Sequence, residues 1–89
     1  MNLISDRDVA KKFAQKIVSE IVFYNQDKAI EGIINDNFFD LLHNEIEEGR
    51  NIYLSRVSSN LSNVENLYDL AIVEIIMEHG RNIRSKIWR

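Results

Sequence analysis

Leu70-Ala71-Ile72-Val73-Glu74-Ile75-Ile76-Met77 decides the fold, because only Glu74 interrupts an otherwise apolar run. On a helix of 3.6 residues per turn such a run is apolar on nearly every side. It needs cover from several directions, and a chain of 89 residues has few elements to supply it. Self-association through Leu70, Ile72, Val73, Ile75, Ile76 and Met77 is the first expectation. Upstream, Ser62-Asn63-Val64-Glu65 has the spacing of a capping box, in which Ser62 accepts from the Glu65 N–H. Downstream, Gly80 stands where a left-handed residue would end the helix. The spacing therefore predicts a helix over 63–78.

The chain contains no proline and three glycines, so helices dominate and their ends are set by caps. Ser5 opens the first helix, followed by acids in the first turn. Ala10, Phe13, Ala14, Ile17, Val18, Ile21, Val22 and Tyr24 recur at three- and four-residue spacing, and Ala29, Gly32 and Ile33 extend the stripe. This predicts one helix over about 5–35, bent near Asn25–Asp27. Asn35-Asp36-Asn37 breaks it, with Asp36 or Asn37 capping a second helix over 37–57. Its apolar face carries Phe38, Phe39, Leu42, Ile46, Gly49, Tyr53 and Val57. The expected fold is all-α, a bundle of three main helices completed by dimerisation. Residues 1–80 form the helical domain and 81–89 a basic tail, in which Ile83, Ile87 and Trp88 add a short helix.

A glycine inside a helix costs about 1 kcal/mol against alanine, so Gly49 and Gly32 need a reason. Gly49 on the apolar face implies a close helix crossing. Gly32 marks the same crossing or the frayed end of the first helix. Asn25 is read either as an enclosed amide paired with the hydroxyl of Tyr53 or Tyr68, or as the solvated apex of the bend.

Net charge is −3 and unevenly spread. Residues 1–78 hold all 14 acids against seven Lys and Arg, a net of −7. Residues 79–89 hold Arg81, Arg84, Lys86 and Arg89 and no acid. An acidic body disfavours broad nucleic-acid contact, which depends on cation–phosphate pairing. The tail, with Trp88, is read either as a brace packed on the body or as a partner-binding arm. No cysteine supplies a disulfide or a thiolate ligand. Residues 1–5 lack the pattern of a secretory signal, and no run approaches the ~20 apolar residues of a membrane span. A cytoplasmic protein is expected.

The best metal candidate is Asp40 with His43 and Glu47, which share one helix face. Di-iron bundles need two Glu-x-x-His pairs, and a solvated face is the plainer reading. No nucleophile elbow, glycine-rich phosphate loop or Ser–His pairing is recognisable, so neither catalysis nor a cofactor is expected.

Ile17-Val18-Ser19-Glu20-Ile21 with Tyr24-Asn25, Glu31-Gly32, Ile46-Glu47-Glu48-Gly49-Arg50, Tyr53 and Arg56-Val57 together form a recurring pattern. Over residues 10–60 the chain resembles a small uncharacterised helical domain of spirochaetes and delta-proteobacteria. That domain stands alone or is attached to regulatory or zinc-ribbon modules. The resemblance implies a non-enzymatic interaction or oligomerisation module in bacterial regulation. A nucleic-acid-associated protein using the basic tail is the alternative expectation.

Overall fold

Ala10, Ala14, Val18 and Val22 repeat every four residues, and all four are buried along one seam of α1 (Arg7–Tyr24). The two alanines let a neighbouring backbone approach closely, and α5 (Val64–Ile87) lies along this seam. Between them in sequence come α2 (Gln26–Ile34), α3 (Phe38–Leu41) and α4 (His43–Arg56). This computed structural model describes the backbone of residues 3–87 and the side chains of residues 3–81. The architecture is all-α. Among the described residues there is no strand, only an isolated parallel bridge between Ile4 and Val57.

Helix directions follow from the side-chain pairings. Arg7 donates to the Ser62 carbonyl and Gln15 to Glu74, so α1 and α5 run parallel. Phe13 stacks on Tyr53 while Gly49 abuts Ile17 and Ile21, so α4 runs antiparallel to α1. The centre is filled by Val18, Leu42, Tyr53, Tyr68 and Ile72, all almost fully buried. Enclosing one such aliphatic side chain contributes roughly 1.5–3 kcal/mol.

The structure departs from the sequence reading at five points. Asp6, not Ser5, caps α1, its carboxylate accepting from the Asp8 and Val9 N–H groups at 2.8 and 3.3 Å. The cause is the bridge: Ile4 donates to the Arg56 carbonyl and accepts from Ser58, which keeps the chain extended past Ser5. The expected helix over 5–35 is interrupted at Asn25, whose side-chain amide donates to the Ile21 carbonyl at 2.7 Å. That bond meets an orphan acceptor at the end of α1 and lets α2 set off in a new direction. Asn25 is half-buried but takes no hydroxyl partner, since Tyr53 donates to the Val64 carbonyl and Tyr68 to that of Ile46.

The expected helix over 37–57 is likewise divided, at Leu42. Its backbone (φ −109°, ψ 21°) leaves helical geometry while its side chain stays wholly buried. The break turns α3 onto α2, where Phe38 meets Gly32. Asp36 makes the preceding turn with φ 58°, a left-handed state that Asp tolerates better than most residues. Past it, the Asn37 N–H reaches back to the Gly32 carbonyl at 2.8 Å.

Asn63 adopts φ 57° immediately before α5, so Ser62 and Glu65 are not joined as a capping box; the Ser62 carbonyl instead accepts from Arg7. Gly80 does not end the helix. It has no positive φ, lies inside α5 and faces Ile33, and the helix continues through Ile87. A mid-helix glycine costs only about 1 kcal/mol, and neighbouring turns that form helix readily carry α5 past it.

Candidate functional site

The apolar run of α5 divides by face. Ile72 is wholly buried against the chain's own core, and Ile75 and Ile76 are half-buried beside it. Leu70 and Val73, each 45% exposed, and Met77, 61% exposed, point outward at spacings of three and four. They form one stripe. Phe39, expected on the buried face of its helix, is 52% exposed because the turn into α3 rotates it outward. It joins Val73, Ile76 and Met77 around a cavity of about 470 Å³, closed behind by Gly32 and Phe38. The Asn37 side-chain carbonyl in this wall is buried without a hydrogen-bond partner. Leu70, Val73, Met77 and Phe39 together expose on the order of 400 Å², the size at which a surface patch is often functional.

A second concavity, of about 380 Å³, lies between α1 and α4. Phe13, Ile17, Ile21 and Ile52 make its apolar lining, and Glu20, Glu45 and Glu48 stand along it. Tyr24, read from sequence as part of the buried stripe, is 78% exposed at its mouth. A third hollow of about 410 Å³ is formed by Val22, Phe23, Ile30, Ile33, Ile75 and His79.

Gly49 and Gly32 both lie at close approaches, but at two different ones. A Cβ on Gly49 would stand 2.5 Å from the Tyr68 hydroxyl and 2.9 Å from Ile17. On Gly32 it would stand 2.6 Å from the Phe38 Cα. The first joins α4 to α1 and α5; the second seats α3 on α2. They are separate because the break at Asn25 carries Gly32 away from the α1 stripe.

Polar groups at the first crossing act as fasteners. Arg50 donates to Glu47 at 2.9 Å and to Asp69 at 2.7 Å, tying α4 to α5, and lies 5.0 Å over the Tyr68 ring. Burial pushes the Tyr68 hydroxyl up to about 12, against a smaller opposing influence from Arg50, so it remains a proton donor to the Ile46 carbonyl. Asp40, His43 and Glu47 are exposed, with Asp40 and His43 on opposite sides of the Leu42 break. Among the described residues no three His, Cys, Asp or Glu side chains converge to hold a metal ion.

Arg81 is exposed on α5; the side chains of Ile83, Arg84, Lys86, Ile87, Trp88 and Arg89 lie outside the described residues. Among the described residues no helix is long and apolar enough to cross a membrane. No family model, curated protein or solved structure matches the chain.

Proposed function

We propose that the chain is a non-enzymatic protein-interaction module that pairs with a second copy of itself through the outward stripe of α5. The observation that carries this reading is Leu70, Val73 and Met77 exposed on one helical face, with Phe39 beside them. Two copies of a single straight stripe are self-complementary across a two-fold axis, and helix packing at three- and four-residue ridges supplies the interlock. With half-buried Ile76 and the rim of the adjoining cavity, the patch is the size of a small interface, below the ~800 Å² per partner of a standard one, so the pairing is concentration-dependent. A role in bacterial regulation accords with the resemblance over residues 10–60.

The chain has no cysteine, so a single engineered thiol reports the contact cleanly. Val73→Cys should oxidise readily to a disulfide-linked pair at micromolar concentration, whereas Asn51→Cys, exposed on α4, should not. Equal cross-linking of the two variants would overturn the proposed pairing.

A further inference from the structure

We infer that the groove between α1 and α4 receives the basic C-terminal segment, residues 81–89, of a second copy. This contact uses a different surface from the α5 stripe and stands without it.

The groove combines an apolar wall with carboxylates that lack partners. Among the described residues both ion pairs involve Arg50, one with Glu47 and one with Asp69, leaving Glu20, Glu45 and Glu48 unpaired. One Glu45 oxygen (Oε2) is buried without any hydrogen-bond partner. Lys16 and Arg56 also line the groove; Lys16 stands one turn before Glu20 on α1, and the antiparallel register sets Arg56 apart from the carboxylates. Gly49 sits against Ile17 and Ile21, so Glu45, one turn earlier on α4, lies toward Tyr24, while Arg56 lies at the opposite end. The Tyr24 end is therefore acidic beside an apolar floor. Its fitting ligand is a cation on an apolar stem, with large apolar side chains close by.

Residues 79–89 have that composition: four cations, no acid, and Ile83, Ile87 and Trp88. Within one chain, residues 81–87 continue α5 rather than turn back into the groove. α5 packs on the other flank of α1, with Gln15 bonded to Glu74, and remains helical through Ile87. A second copy is therefore the source of the segment that fits.

Trp88 is the sole tryptophan, so its emission in the full chain reports the contact. Emission should be blue-shifted at high micromolar concentration and move to the red on dilution toward nanomolar. Glu45→Gln with Glu48→Gln should raise the dilution midpoint roughly tenfold or more, and added salt should move it in the same direction. If the double variant loses its helical circular dichroism, Glu48→Gln alone, at an exposed position, should still raise the midpoint. Emission that does not change with concentration, or a midpoint indifferent to these substitutions, would overturn the inference. Failure of the stripe is read separately, by cross-linking through Val73→Cys, which leaves the groove intact.

Discussion

Gly49→Ala is the most informative single change to the fold. Helix propensity favours alanine by about 1 kcal/mol, so an exposed Gly49 would yield a more stable protein. The structure reverses that sign. The new methyl would stand 2.5 Å from the Tyr68 hydroxyl, 2.9 Å from Ile17 Cγ2 and 3.0 Å from Ile21 Cδ1. The two isoleucines border the α1–α4 groove and have room to turn. Tyr68 does not: it is wholly buried, its hydroxyl donates to the Ile46 carbonyl at 2.9 Å, and Tyr53 and Arg50 flank its ring. Relief means displacing α4 or giving up the buried hydrogen bond. Overpacking of this kind costs about 1–3 kcal/mol and an abandoned buried hydroxyl another ~1–3 kcal/mol. Net of propensity, Gly49→Ala should destabilise by about 1–5 kcal/mol, at roughly 4–8 °C of melting temperature for each kcal/mol at this chain length. Thermal and urea unfolding followed by circular dichroism measures it. In Tyr68→Phe the obstructing oxygen is gone, so Gly49→Ala should be markedly milder there, giving a positive coupling in the double-mutant cycle. A melting temperature at or above wild type for Gly49→Ala, or additive effects in the cycle, would refute the reasoning.

Gly32→Ala should be at least as damaging, by about 2–3 kcal/mol, because its methyl meets Phe38 backbone rather than a movable side chain. An unchanged urea midpoint would show that the α2–α3 seat is looser than described. Alkaline pH tests the burial of Tyr68. Its folded pKa of about 12 lies above the ordinary 10, so folding favours the protonated form. The stabilisation is complete below pH 10 and is lost as pH rises through about 12. Ultraviolet titration of tyrosinate should show a late step that coincides with loss of helix and is absent in Tyr68→Phe; ionisation of all tyrosines near pH 10 in folded protein would contradict it.

The all-α class was readable because the stripe of Ala10, Ala14, Val18 and Val22 has helical spacing, and because nothing in a proline-free chain competes with it. Gly49 was readable too: a glycine among large apolar residues on one face has few uses other than close approach. The break at Leu42 was not, since α3 and α4 carry the same apolar face on either side and no breaker residue marks the join. Gly80 misled in the opposite sense. A strong breaker by propensity, it is absorbed within α5, where Ile33 lies opposite.

Within 70–77 the sequence could not rank the faces, because a nearly continuous apolar run has little periodicity of its own. The neighbours decide: the small residues of α1 draw Ile72 inward, and Val73 is left outside. Ile72→Glu would thus disrupt the monomer itself, whereas Val73→Glu and Met77→Glu act only on the surface. The α1–α4 groove escaped notice for a related reason. Glu20 lies on one segment of the sequence and Glu45 and Glu48 on another far from it, and only the antiparallel pairing of α1 and α4 sets them along one concavity.

Sedimentation equilibrium of the full chain, wild type beside Val73→Glu/Met77→Glu, tests the central claim most directly. At micromolar concentration the wild type should sediment at twice the 10.4 kDa chain mass, and the double variant, with unchanged helical content, at 10.4 kDa. High salt, which weakens the charge-dependent groove contact, isolates the stripe: a wild type that remains at 10.4 kDa there, or a double variant that pairs as tightly as wild type, would contradict it.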